Sequence, residues 1–180
     1  MNEAQLSIKF SLFLQEQLGY PKESLLLELP VTRPDGARMH VDLAVLDLNS
    51  SEYIGLIEFK SSLTENNLLS ALKQVKVYQQ AMGLIDVPTY LVTNGVDDSF
   101  EIYVLEDYGP WIPIATSTFP SYKTLSARKK AKDKANQNKE EENKYKRKQY
   151  LSLWTLSSAV LGILVSVFSV VYLGSADFLL

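Results

Sequence analysis

The stretch MHVDLAVLDLNSSEYIGLIEFK, residues 39–60, decides how the rest of the chain is read. Two apolar, β-branched runs, Met39 to Asp47 and Tyr53 to Lys60, flank Asn49-Ser50-Ser51, whose composition is that of a turn. The pattern predicts two strands joined by a short connection. Side chains alternate along a strand, so Glu58 and Lys60 share one face while Ile57 and Phe59 point into a core. Asp42 lies on the preceding strand, within reach of that face if the two strands pair.

Outward from this hairpin the signals are local. Leu6, Phe10, Phe13, Leu14 and Leu18 recur at three- and four-residue steps, which predicts a first helix ending near Gly19. Leu25 to Thr32 reads as a strand, and Arg33-Pro34-Asp35-Gly36 as a tight turn. Ser62-Leu63-Thr64-Glu65 fits a capping box and Gly83 a helix stop, with Leu68, Leu72 and Val75 on one face between them. Thr89 to Thr93 and Phe100 to Leu105 are two more strands. The predicted class is α/β with the order α-β-β-β-α-β-β. Residues 107–127, with Pro110, Trp111, Pro113 and Pro120, are expected to pack against this domain.

The chain has 180 residues and no cysteine, so disulfides and thiolate metal sites are excluded and any bound cation must use oxygen or nitrogen ligands. Its net charge of −3 hides an asymmetry. Residues 1–125 hold eight Lys or Arg against sixteen Asp or Glu, near −8, whereas Arg128 to Lys148 hold ten basic and four acidic residues, +6. An acidic domain is a poor electrostatic partner for nucleic acid unless cations or a basic surface intervene. The basic segment lacks bulky apolar residues and reads as a solvated helix or tether. The opening residues show no secretory signal. Leu151 to Leu173 is an uncharged run long enough, at about 1.5 Å per residue, to cross a bilayer. Trp154 and Tyr172 suit the interfacial belt, and Lys144, Lys146, Arg147 and Lys148 before the run place the N-terminal side in the cytoplasm. The expected organisation is a domain over 1–125, a charged linker over 126–149, a transmembrane helix over 150–174 and a short tail over 175–180 on the opposite side.

Two carboxylates converging on one point repel each other and invite a hard dication, Mg²⁺ or Mn²⁺. Such a cation polarises a phosphate and lowers the pKa of a water. Lys60 beside it could orient or deprotonate that water, or stabilise the developing phosphorane charge. An isolated E-x-K is usually an exposed strand pair. Here an apolar strand runs directly into it and an Asp lies one hairpin upstream.

On these residues the chain resembles the PD-(D/E)XK nuclease superfamily, and within it the N-terminal nuclease domain of type I restriction enzyme R subunits, over about residues 2–106. The resemblance implies a restriction-endonuclease-like core, with metal ligands at Asp42 and Glu58 and a catalytic lysine at Lys60. It implies a third ligand at Glu3, in Asn2-Glu3-Ala4-Gln5. Gln74-Val75-Lys76-Val77-Tyr78 resembles a Q-x-x-x-Y element, which would bring Gln74 and Tyr78 to the site or the substrate backbone. Val92-Thr93-Asn94-Gly95 resembles the turn that closes the core. His40, the one histidine, is expected on the Asp42 side of its strand. Type I R subunits continue into a helicase motor. This sequence carries none and has no Walker loop, so a partner protein supplying a basic surface or a motor is expected. The function implied is a membrane-anchored, Mg²⁺-dependent DNA endonuclease-like protein, suited to defence against foreign DNA. The alternative is a weakly catalytic or inactive nuclease-fold module serving as a membrane-tethered scaffold.

Overall fold

The computed structural model of the protein describes residues 1–105 and 109–174, without the side chains of residues 98, 152, 153 and 155–174. Helix α1 spans Glu3–Leu18, β1 Leu25–Thr32, β2 Arg38–Asp47, β3 Glu52–Lys60, α2 Glu65–Met82, β4 Thr89–Asn94, β5 Phe100–Leu105, β6 Trp111–Ile114 and α3 Tyr122–Gly174. The strands form one six-stranded sheet in sequence order. β3 and β4 run parallel, and every other neighbouring pair is antiparallel. The single parallel pair requires a crossover, which α2 supplies.

Each helix begins and ends where its chemistry dictates. Asn2 caps α1 in a reciprocal box with Gln5, and Gly19 ends it at φ 69°. The cap of α2 is Thr64, whose side chain accepts from Asn67 N–H, and not Ser62. Ser62 instead receives the Asn67 side-chain amide through its carbonyl and its hydroxyl. The capping-box spacing was right for a helix start, but it began two residues early.

The sheet has a core on each face. On the α1 side, Leu6, Phe10 and Leu14 meet Leu43, Val45, Ile57, Phe59, Val92 and Ile102. Phe10 is its hub, in edge contact with Phe59, Phe100 and Phe119 at centroid distances of 5.9, 4.9 and 5.5 Å. On the α2 side, Val75 and Tyr78 pack with Ala44, Leu56, Val31 and Val41.

A sixth strand, absent from the sequence-based order, lies within residues 107–127. Its Pro113 removes a ladder donor, which disguises a strand in sequence but is tolerated at an edge. Trp111 ties β6 to α2 through its indole N–H on Leu68 O, 3.2 Å. The opposite edge strand, β1, also carries a proline, Pro30.

The chain forms two compact units, Met1–Lys130 and Ala131–Leu180. The first ends four residues beyond the buried Ser126, because the start of α3 is bound into the domain. Asp47, fully buried, accepts from Ser126 Oγ (2.8 Å), Asn49 N–H (3.0 Å) and Asn49 Nδ2 (3.2 Å). Leu48 N–H donates to Tyr122 Oη at 2.9 Å, and Tyr20 Oη donates to Pro120 O at 2.7 Å. The charged segment expected as a linker from 126 is therefore helix from Tyr122 onward. In the second unit its surface is solvated, with a Glu142–Lys146 pair at 2.7 Å. Among the described residues no helix is long and apolar enough to cross a membrane. The transmembrane segment expected over 150–174 lies almost wholly outside the described side chains, and the tail over 175–180 lies outside the described residues.

Asp47→Ala would strand the buried Ser126 hydroxyl, at about 1–3 kcal/mol, and leave the exposed Asn49 N–H to water. We expect urea unfolding of the full chain to show a loss on the order of 1–3 kcal/mol. Ser126→Ala, which removes one donor of several, should cost less.

Candidate active site

The centre forms where β2 and β3 part. Their antiparallel ladder runs from Asp47↔Glu52 to Leu43↔Ile57 and stops, so Asp42 and Glu58 face each other without a backbone pair. β1 also skips this level: Leu27↔Leu43 and Leu29↔Val41 are paired, while Glu28 and Asp42 are not. Released on both sides, Asp42 turns its carboxylate to Phe59 N–H, with Oδ2 accepting at 2.8 Å.

Glu58 is almost entirely buried, with its side chain 1 % exposed. One oxygen, Oε1, holds Lys60 Nζ at 2.6 Å, and the other, Oε2, accepts from Tyr78 Oη at 3.2 Å. Burial first and the Asp42 charge second push the Glu58 carboxyl up to about 7, against the opposing pull of Lys60 and Tyr78. Asp42 is likewise raised, by burial above all, against the Phe59 N–H and Lys60. Burial works against the Lys60 ammonium, but its hydrogen bond to Glu58 and the Glu58 charge outweigh it and hold the pKa above that of an ordinary lysine. Lys60 is therefore a fixed cation.

The structure brings Asp42, Glu58, Lys60 and Tyr78 together. Glu3 stands at the rim. Its Oε1 accepts from Ser61 N–H at 3.3 Å, and its charge raises both Asp42 and Lys60. Among the described residues, no three or more His, Cys, Asp or Glu side chains converge as a metal-binding group. Glu3 thus does not close a three-carboxylate set. Tyr78 is 2 % exposed and bonded to Glu58, so it orients a carboxylate instead of reaching a substrate backbone. Gln74, one turn earlier on α2, has a buried Oε1 with no hydrogen-bond partner among the described residues. The same holds for Thr93 Oγ1, on the residue paired with Lys60 across the parallel ladder. His40 is exposed. Met39 and Val41 pack into the α2-side core, so strand alternation turns His40 away from it, contrary to the expected Asp42 side. Asn94 ends β4, its Nδ2 donating to Met1 O (3.0 Å) and Ser61 O (3.3 Å).

Sequence reading missed Glu28. Its charge raises both Asp42 and Tyr78, and its backbone lies in the left-handed region at φ 51°. The only hint in the sequence is a lone charge inside an apolar run, Leu25 to Val31.

The donor set fits a hard dication to the extent of two carboxylates of hard oxygen chemistry, Asp42 and Glu58, both raised by burial, and one turn from Tyr78 on α2 the buried Gln74 Oε1 has no partner among the described residues. Sheet, crossover helix and paired acid-lysine strand end define a nuclease-like domain. The chain belongs to the family described as the type I restriction enzyme R protein N terminus (HSDR_N), which matches residues 5–107. Among curated proteins and solved structures, none matches the chain.

A pH dependence follows from Glu58. Folded, it keeps its proton to about 7, and unfolded only to about 4.5, the ordinary value for a glutamate. The folded state therefore binds more protons in that window, and stability falls as pH rises through it. Asp42 acts in the same direction. Asp47, whose hydrogen bonds overcome its burial and lower its pKa, acts oppositely and only below the ordinary Asp range. With a chelator present, Tm should drop between about pH 5 and about pH 7.5, and Glu58→Gln should remove most of that slope. An unchanged slope in the variant would place the titration elsewhere.

Proposed function

We propose that this chain is a divalent-cation-dependent, endonuclease-like phosphodiester hydrolase acting on DNA, with its domain held at the cytoplasmic face of a membrane by residues 150–174. The observation that carries the reading is the convergence of Asp42, Glu58 and Lys60. The Asp42 charge helps to raise Glu58, burial raises Asp42, and Lys60 lies 2.6 Å from Glu58. Family membership supports nuclease chemistry and contact with DNA.

Asp42 and Glu58 would hold Mg²⁺ or Mn²⁺, with Gln74 Oε1 available to a bound water. When bound, the cation supplies Lewis-acid polarisation of the phosphate and a more acidic water. The remaining work falls to the chain. Phe59 N–H and Tyr78 Oη fix the two carboxylates, which limits reorganisation during the reaction. Lys60, kept protonated by Glu58, suits stabilisation of charge developing on the phosphoryl oxygens more than proton abstraction. The excess of acidic residues in residues 1–125 supports a second reading, a weakly catalytic scaffold, and makes a partner supplying basic surface or a motor part of the proposal.

Incubation of the protein with plasmid and Mg²⁺ or Mn²⁺ should give nicking that Asp42→Ala, Glu58→Ala and Lys60→Ala each reduce by about a hundredfold or more. Absence of nicking in the unaltered protein, together with no rise in Tm on adding cation, favours the scaffold. For placement, the uncharged run 151–173 preceded by Lys144, Lys146, Arg147 and Lys148 supports an N-in anchor. Protease added outside intact cells should leave the domain uncut, and its digestion would overturn that topology.

A further inference from the structure

Along both β1 and β2 the two faces of the sheet change places at the level of the active centre. On β1, Leu25 packs with the α1-side core and Leu26 with the α2-side core, but Leu29 and Val31 both join the α2 side. On β2, Val45 and Leu43 belong to the α1 side, whereas Val41 and Met39 belong to the α2 side. Strict alternation would keep residues of one parity on one face. No residue is inserted, since the pairs Leu27↔Leu43 and Leu29↔Val41 keep one register. The exchange is made instead by rotation at the unpaired level between them, Glu28 opposite Asp42.

Glu28 has φ 51° there, a conformation that costs an L-residue with a Cβ, and most of all a β-branched one. Its side chain is exposed, and among the described residues no hydrogen bond or ion pair of its carboxylate offsets that cost. What the conformation gains is next door. Rotation at Glu28 takes Asp42 out of the β1 ladder, at the level where the β3 ladder also stops, and the freed carboxylate meets Phe59 N–H.

We infer that Glu28 is a positioning residue for Asp42, acting through its left-handed backbone and not through its charge. Its role at the cation site rests on the function proposed above. Its effect on the Asp42–Phe59 hydrogen bond does not.

Four variants of the full chain separate backbone from charge. Glu28→Gly and Glu28→Asn tolerate a positive φ, Glu28→Gln keeps shape without charge, and Glu28→Val opposes the conformation. Two readouts apply: hydrogen exchange at the Phe59 amide, and Mn²⁺ affinity from the cation-induced rise in Tm. Gly, Asn and Gln should stay within about threefold of the unaltered protein in both, while Val loses about tenfold in each. If Glu28→Val does not fold, Glu28→Ala against Glu28→Asn makes the same comparison, with Ala expected lower. Unchanged Phe59 protection in Val or Ala overturns the inference. So does a loss in Gln or Asn as large as that in Val, which would assign the effect to the carboxylate. If the unaltered protein shows no Mn²⁺-induced shift, the cation reading fails, and the Phe59 exchange still decides the role of Glu28.

Discussion

A buried carboxylate, Glu58, sits near enough to the half-buried Asp42 for the Asp42 charge to raise it, and most of the domain is arranged around that repulsion. Left alone, such a pair would be expelled or protonated. Each oxygen that the structure engages meets a fixed donor: the β3 backbone for Asp42, the β3 lysine and the α2 tyrosine for Glu58. Both strands are anchored by an aromatic hub on one face and an aliphatic core on the other, which keeps the donors from drifting. The resulting centre is only partly neutralised by Lys60 and remains under electrostatic load. That load gives a dication something to relieve, and it also makes the domain sensitive to the proton.

Much of this was legible before any coordinates. Strand boundaries from Leu25 to Lys60 follow from alternating apolar runs and strong turn chemistry, and the α1 and α2 ends follow from glycines placed for positive φ. Asp42, Glu58 and Lys60 were legible because a hairpin brings neighbouring strands into register whatever the remainder of the fold does. Tyr78 was legible as a site residue but not in its role. Four-residue helical spacing says which face a side chain occupies, and says nothing of whether it ends in solvent or on a buried acid.

What escaped the sequence depends on tertiary context. β6 contains Pro113 and reads as loop, because edge position, which excuses the proline, is a property of the finished sheet. The exchange of faces at Glu28 and Asp42 breaks the rule by which strand residues are assigned to sides, so His40 was assigned to the wrong one. Glu3 has the residue type and helix position of a ligand, yet it stands at the rim, one oxygen accepting from Ser61 N–H, and among the described residues no three acids cluster. That residues 107–127 pack on the domain is legible in the sequence, but that Tyr122 and Ser126 do so as the start of α3 is not, because this contact rests on polar groups around Asp47.

The prolines at the two margins of the sheet have a further consequence. Pro30 on β1 and Pro113 on β6 each leave a gap in the row of N–H donors that an incoming strand would need, and β6 is only four residues long. Copies of this domain crowded side by side would therefore find no continuous template for joining their sheets. Crowding of that kind should leave the domains as separate particles and not seed fibrous assemblies.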